Sequence, residues 1–290
     1  MSTALPTLQL LEITGADAIA FAQAQFCSDL RDLHAGHWRW SAWLSPQGRV
    51  RAFFQLLRDD DEKLRLILRG GDAHALRDDL SRYVLRAQVT LRALDRARGV
   101  GFDDRAELAV LAAEIPDGDR IGRSAPGDVA ALPGPKPRWL LLEDHADAAA
   151  TGDDDGRWRL ADIRAGLPEV GPALRDRLLP QWLGLDRLGA VSVQKGCYPG
   201  QEIMSRLHFR GGNKRALYRL ELHAPAPPPP GTDIRAGDGE AGHAGVVVLA
   251  AAAAPGRVEA LASLVESMAD AKLEIDSTSV EQVRVAERFG

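Results

Sequence analysis

Residues 194–203 have the sequence QKGCYPGQEI and concentrate most of the unusual chemistry of the chain. Two glycines bracket Cys197, which indicates a tight turn, and residues 201–207 have the apolar spacing of a helix that begins after a Pro-Gly pair. Cys197 therefore lies just before a predicted helix N-terminus, and Lys195 is two residues away. A helix dipole and an ammonium charge both favour the thiolate over the thiol.

Two interpretations of Cys197 stay open on these residues alone. It is either a reactive thiol or a buried cysteine beside a turn, which is the usual environment of a lone cysteine. A self-contained metal site is disfavoured, because the chain has only Cys27 and Cys197, whereas an iron–sulfur cluster ordinarily takes about four thiolates. Cys197 is thus at most a shared cluster ligand. Hydrolase, phosphate-loop and dinucleotide motifs are missing, which argues against those enzyme classes.

The charge pattern suggests an anionic ligand. The chain has 290 residues, 36 basic and 41 acidic, for a net charge of −5, so a uniformly basic nucleic-acid-binding protein is disfavoured. Residues 157–219, however, contain twelve Lys or Arg and five Asp or Glu. This stretch either binds an anion such as a polyglutamate, a phosphate or RNA, or scatters arginines over a solvated surface.

Cysteine usage and hydropathy predict the compartment. Two cysteines far apart in sequence fit a reducing environment better than a disulfide scaffold, so we expect a cytoplasmic protein. The first residues show no basic segment before an apolar core, and the longest apolar run, at 245–254, is shorter than the roughly 20 residues of a membrane-spanning helix. We therefore expect neither a secretory signal nor a membrane partner.

Hydrophobic periodicity predicts an α+β protein with a β-rich end. Strands are predicted at 8–14, 37–44, 50–59, 63–69, 88–94, 100–102, 138–144, 215–222, 241–250 and within 272–290, and helices at 15–30, 72–85 and 104–115. We divide the chain into a first α+β lobe at 1–98, completed by part of 157–214, a second α+β lobe at 99–156, a central segment at 157–214, and a small β-barrel at 215–290.

Residues 195–202 (KGCYPGQE) and 205–217 (SRLHFRGGNKRAL) resemble the signature of the YgfZ family. These proteins are folate-binding relatives of the glycine-cleavage T-protein, an aminomethyltransferase, and of mitochondrial iron–sulfur assembly factors. The resemblance covers nearly the whole chain: residues 13–30 are similar to the family's first helix, 45–58 to its early hairpin, and 157–171 to the segment that precedes the signature.

The resemblance implies a fold and a function. The expected fold is α+β and aminomethyltransferase-like, with two ferredoxin-like lobes and a C-terminal β-barrel around a folate-sized cavity. The implied function is tetrahydrofolate-dependent support of the assembly or repair of iron–sulfur enzymes, including radical enzymes that thiolate transfer RNA. Two alternatives are ordered behind this accessory role, namely a folate-dependent aminomethyl transferase and a transfer-RNA-binding module.

The resemblance also implies site residues. Cys197 is the functional thiol, with Lys195 as its activator. Trp158 matches a tryptophan that borders the folate site, where an indole suits a pterin or aminobenzoyl ring. The remaining expected contacts to tetrahydrofolate, or to a one-carbon derivative of it, are Tyr198, Gln201, Glu202, Arg206 and Arg215. A basic cluster that would hold a glutamate tail or RNA phosphates consists of Arg206, Arg210, Lys214 and Arg215.

Three positions depart from the family pattern. Leu8 stands where the family has a second tryptophan at the folate site. Arg164 replaces a glutamate with which the T-proteins hold the pterin, and this replacement weakens the transferase hypothesis. Gly184 replaces an asparagine.

Overall fold

The computed structural model describes residues 2–5, 8–94, 98–111, 114–124, 127–143, 155–212, 214–237, 242–276 and 280–289. Its strands are β1 (Ser2–Leu5), β2 (Gln9–Thr14), β3 (His37–Leu44), β4 (Val50–Arg58), β5 (Lys63–Leu68), β6 (Thr90–Leu94), β7 (Arg98–Phe102), β8 (Ile121–Arg123), β9 (Gly127–Leu132), β10 (Arg138–Glu143), β11 (Arg215–His223), β12 (Asp233–Ala236), β13 (His243–Ala254), β14 (Arg257–Val265), β15 (Leu273–Ile275) and β16 (Gln282–Phe289). Its α-helices are α1 (Ala18–Gln25), α2 (Ala73–Ser81), α3 (Arg105–Leu111), α4 (Asp155–Arg164) and α5 (Gln201–Arg210).

The first sheet has the order β3-β4-β5-β2-β6, and all its neighbouring strands are antiparallel. Strands β4 and β5 are nearly continuous buried runs because both faces of the sheet are covered there. Leu11 and Phe54 pack with α1 and α2, whereas the adjacent residues Leu10 and Phe53 face the central core, since side chains alternate along a strand. The α+β prediction for this part of the chain is confirmed.

Helix α1 is shorter than the predicted helix at 15–30. It ends at Gln25, and Phe26 is extended and bridges to Trp43 at the end of β3. The backbone N–H of Cys27 then donates to the carbonyl oxygen of Ala42. The prediction was wrong here because an apolar helical spacing continues past Gln25, while the edge of β3 offers the backbone partners that end the helix.

The second sheet has the order β1-β7-β10-β9-β8 and is covered on one face by α3. Strand β1 pairs with β7, so the first residues lie in the second sheet although most of 1–98 builds the first. The lobes are joined through the backbone, since the N–H of Trp38 donates to the carbonyl oxygen of Asp119. The predicted features at 104–115, 138–144, 205–217, 241–250 and 272–290 each include residues outside the described ranges, namely 112–113, 144, 213, 241, 277–279 and 290.

The C-terminal sheet curls towards a barrel. Its order is β15-β12-β13-β14-β11-β16, and its two edge strands come together around an apolar interior. The run at 245–254 forms most of β13, which confirms that it is a buried strand. Helix α4 packs against β13 and so joins the barrel to the lobes.

Residues 165–200, which we call the connecting segment, run between the lobes and the barrel with little regular structure. The segment is fastened to the first sheet by its backbone: the N–H of Val170 donates to the Arg69 carbonyl oxygen, and the N–H of Val50 donates to the Leu178 carbonyl oxygen. Its last residue, Gly200, has a φ of 80° and packs on the turn between β3 and β4. Helix α5 starts from this contact.

The Gly200 contact tests how tightly the connecting segment is docked. A Cβ at Gly200 would lie 2.6 Å from the Ser45 carbonyl oxygen, so we expect Gly200→Ala to lower the free energy of unfolding by about 3 kcal/mol, from the left-handed backbone and the overlap together. Gly211→Ala is the control, because its φ is 69° but a Cβ would meet no atom within 4 Å; we expect a loss of about 1 kcal/mol. Equal losses in chemical denaturation would contradict the tight docking.

Candidate functional site

The connecting segment is anchored near its end by a buried lysine. The ammonium of Lys195 donates to the carbonyl oxygens of Phe26 at 2.6 Å and Ser28 at 2.8 Å, and the side chain is almost fully buried. Burial lowers the pKa of Lys195 to about 8, so the group is still protonated at neutral pH. We expected this ammonium beside the Cys197 thiol. It instead points into the protein, where two carbonyl oxygens compensate its lost hydration.

Two further residues of the signature hold the same backbone. The hydroxyl of Tyr198 donates to the Ser192 carbonyl oxygen at 3.0 Å, and the amide Nε2 of Gln201 donates to the Lys195 carbonyl oxygen at 3.0 Å. Burial raises the pKa of Tyr198, so the hydroxyl remains a neutral donor. Both residues were predicted to contact the cofactor, and in this structure their polar groups brace the signature itself.

Cys197 is left exposed by this bracing. The structure thus decides against the interpretation of Cys197 as a buried cysteine. The other cysteine has the opposite environment: Cys27 is fully buried, its Sγ donates to the Ala190 carbonyl oxygen at 3.1 Å, and burial raises its pKa to about 11. One accessible thiol and one inert thiol result.

Trp158 lines a second feature, a cavity of about 210 Å³ beside α4. Its ring packs so closely on Gly101 that a Cβ there would lie 2.5 Å from the indole, and the guanidinium of Arg138 stacks 4.8 Å from the ring centre. Leu8 lines the same cavity. The structure therefore brings together the two positions, 8 and 158, at which the family has tryptophans beside the folate site, although Leu8 offers no aromatic face.

The cavity also contains charged residues that the sequence analysis missed. The Asp162 carboxylate pairs with Arg69 at 2.5 Å and with Arg138 at 2.8 Å, and all three are buried. Glu169 lies 3.6 Å from Arg69, and its side chain is 31% exposed. Of the two carboxylates, Glu169 is therefore the more exposed and the more loosely ion-paired. The available signals were the position of both acids within 157–171 and the pair Gly70-Gly71, which follows β5 after one intervening residue, Arg69.

The remaining predicted contacts lie away from this cavity lining. Glu202 and Arg206 pair at 2.9 Å on the exposed face of α5. Arg215 stacks on Trp182 at 5.2 Å, and Arg49 also stacks on that ring, at 4.8 Å. The structure therefore separates the predicted site residues into three groups. These are residues 195–201, which we call the thiol segment, a cavity around Trp158, and a basic surface that includes Arg206 and Arg215.

Two of the departures from the family pattern have structural explanations. Arg164 pairs with Glu259 of the barrel at 2.5 Å, which ties α4 to β14. Gly184 has a φ of 65° after a 3-10 turn, and asparagine also tolerates this left-handed conformation, so the replacement preserves the backbone.

Within the part of the chain that the structure describes, no group of three or more His, Cys, Asp or Glu side chains is placed to hold a metal ion. No helix among the same residues is long and apolar enough to cross a membrane.

Comparisons with known proteins identify similar sequences and a similar fold. No protein-family model matches the chain. The tRNA-modifying protein YgfZ of Shigella boydii serotype 4 is 31% identical over 244 residues, which cover 80% of this chain and 74% of the relative. The protein of the same name from an Enterobacter species is 32% identical with the same coverage.

Among solved structures, the chain resembles the glycine cleavage system aminomethyltransferase T from Bartonella henselae. The TM-score is 0.67 at 14% identity, over 99% of this chain and 84% of the other. This likeness confirms the predicted aminomethyltransferase-like fold, and at so low an identity it concerns the fold alone.

The position of Lys195 gives a test that separates an anchor from an activator. We expect Lys195→Met to lower the free energy of unfolding by about 1–2 kcal/mol, because the Phe26 and Ser28 carbonyl oxygens lose their donors. The alkylation rate of Cys197 at pH 7 is expected to change by less than about twofold, since an ammonium bonded elsewhere does not activate the thiol.

Lys272→Met serves as the control for this test, because Lys272 is exposed on the barrel. We expect the control to leave both measurements unchanged. A large fall in the alkylation rate of Cys197 in a stable Lys195→Met variant would instead restore the activator role.

Proposed function

The chain belongs to the YgfZ family, and from this membership we propose that it is a tetrahydrofolate-binding accessory protein for iron–sulfur enzymes. The clients would include enzymes that thiolate transfer RNA, and the protein would support the assembly or repair of their clusters. The observation that carries the proposal is the exposure of Cys197 on a segment whose backbone is held in place by the side chains of Lys195, Tyr198 and Gln201.

The thiol segment holds the Cys197 thiol at the protein surface on a fixed backbone. The backbone is fixed by hydrogen bonds that the side chains of Lys195, Tyr198 and Gln201 donate to carbonyl oxygens. None of these bonds involves the Cys197 thiol. An exposed thiol on a fixed backbone is suited to react with a partner or to donate one ligand to a cluster that the partner holds. A cluster of its own would need further ligands, which the described residues do not group around it.

The cavity around Trp158 supports the folate part of the proposal. At about 210 Å³ it is smaller than typical ligand pockets of roughly 300–1,000 Å³, so we infer that only the pterin ring would enter it, with the aminobenzoylglutamate outside. Trp158 supplies an apolar aromatic wall. A pterin presents an amino group next to a ring N–H, and a carboxylate accepts both. Glu169, which lines the cavity, would supply that carboxylate.

The accessory role is favoured over the aminomethyl transferase. In place of the glutamate that holds the pterin in T-proteins stands Arg164, whose guanidinium is bonded to Glu259 of the barrel. Asp162, the most buried carboxylate at the cavity, is held between Arg69 and Arg138. Because these two ion pairs engage both carboxylate oxygens, Asp162 is not available to contact a folate nitrogen.

Folate binding can be tested at Glu169. We expect tetrahydrofolate to bind the purified protein in calorimetry, and Glu169→Gln to weaken the affinity about tenfold, since a charge-assisted hydrogen bond becomes a neutral one. Glu202→Gln is the matched control, because Glu202 is exposed on α5 and paired with Arg206. Loss of affinity in the control alone would move the site to α5, and no binding by the native protein would end the folate proposal.

The thiol can be tested in a strain that lacks this protein. We expect Cys197→Ala to keep its thermal stability and folate affinity but to lose support of iron–sulfur enzyme activity, because the exposed Sγ contributes nothing to packing. Cys27→Ala is the control, and it should cost stability while retaining support, since Cys27 is buried. A fully active Cys197→Ala strain would show that the thiol is not needed.

A further inference from the structure

The end of α5 exposes an aromatic side chain to solvent. Phe209 is 72% exposed, whereas most large apolar side chains of the described residues are buried. The ring of His208 lies 5.0 Å from it in an edge-to-face arrangement. Residues 208–212 are all exposed, and Cβ atoms at Gly211 and Gly212 would meet no atom within 4 Å. We call residues 208–214, apart from 213, the α5 tip.

The α5 tip is basic on an acidic protein. No Asp or Glu occurs between Glu202 and Glu221, and this interval contains five Arg or Lys. Arg206 is paired with Glu202, but Arg210 and Lys214 are exposed at the tip itself. Glu266 is the acid whose backbone N–H donates to the Lys214 carbonyl oxygen, and its carboxylate is paired with Arg288. The positive charge at the tip is therefore left uncancelled by that neighbour.

We propose that the α5 tip binds RNA, with Phe209 stacking on an unpaired base and Arg210 and Lys214 contacting the flanking phosphates. An aromatic face between cations is the usual arrangement for single-stranded nucleic acid, because stacking takes any base and the cations follow the backbone. The glycines at 211 and 212 leave room for a backbone to approach.

A protein partner fits the tip less well. A stable protein interface buries an apolar centre within roughly 1,000 Å² or more. Phe209 is the one large exposed apolar side chain among the described residues of the tip, and the exposed residues next to it in sequence are His208, Arg210, Gly211 and Gly212. A single ring among cations offers little apolar area but a complete stacking face.

The tip is on the helix that begins beside the thiol segment. Helix α5 has ten residues and is therefore about 15 Å long, and Cys197 precedes its first residue by four positions. RNA held at the tip would therefore contact the end of the helix opposite to the one that follows the exposed thiol. The inference goes beyond the proposed function and does not depend on folate binding.

The test uses the whole 290-residue chain and an unmodified, fluorescently labelled transfer RNA transcript in anisotropy titrations. We expect Phe209→Ala to weaken binding about tenfold or more, and Phe209→Tyr to keep it, since the stacking face survives. Leu85→Ala is the matched control, because Leu85 is an 85% exposed apolar residue of the first lobe. The native protein should prefer the transfer RNA to a fully paired RNA duplex of equal length, and Phe209→Ala should lose this preference.

The charge contribution is measured separately by the salt dependence. Arg210→Gln should reduce the slope of log affinity against log salt concentration by about 0.7–0.9, as expected for one phosphate contact. Arg257→Gln is the control, since Arg257 is exposed at the far end of β14 from Val265, which pairs with the start of β11. That separation is about 26 Å along the strand.

Three outcomes would overturn the proposal. The first is no binding of transfer RNA by the native protein at low salt, and the second is equal affinity of Phe209→Ala and native protein. The third is a Phe209→Ala variant that loses association with a purified iron–sulfur enzyme while its RNA affinity is unchanged, which would assign the tip to a protein. Folate affinity is expected to be unchanged in every tip variant, so failure here is distinguishable from failure of the proposed function.

Discussion

The arrangement of the thiol segment depends on one buried ammonium. Lys195 reaches across to the first lobe and donates to the carbonyl oxygens of Phe26 and Ser28. Burying an unpaired ammonium would cost several kcal/mol, so the segment is stable only where those two oxygens are presented together. They are presented because α1 ends at Gln25 and the chain turns to bridge β3.

The exposure of Cys197 follows from this anchor. With Lys195 fixed inside, Tyr198 and Gln201 close the turn from both sides, and Gly200 packs against the hairpin turn between β3 and β4. The residues between the anchors must cross the surface, and Cys197 lies among them. Cys197 is thus accessible because its neighbours are anchored, and not because of any contact that its own side chain makes.

The sequence predicted those elements whose structure is determined locally. Strand β3 has the predicted bounds His37–Leu44, and α5 begins at the predicted residue, because alternation and a glycine before the helix are read within a few positions. Predictions failed where the partner is distant in sequence. The end of α1 depends on β3, the place of β1 depends on β7, and the direction of Lys195 depends on residues about 170 positions earlier.

The residues of the candidate cavity were also predicted only in part, because contacts between distant parts of the chain bring some of them together. Family resemblance identified Trp158 and Leu8 as residues of this site. Glu169 could not be identified in this way, because it is brought to the cavity by the hydrogen bond from the N–H of Val170 to the distant Arg69 carbonyl oxygen. The connecting segment that carries Glu169 ends at the anchored thiol. The first lobe holds this segment at Val170, through the Arg69 carbonyl oxygen, and again at Lys195, through the carbonyl oxygens of Phe26 and Ser28, so the same lobe positions both the cavity and the thiol. A partner enzyme that docks at the thiol would therefore meet a surface positioned by the same lobe that contributes Leu68 and Arg69 to the proposed folate pocket.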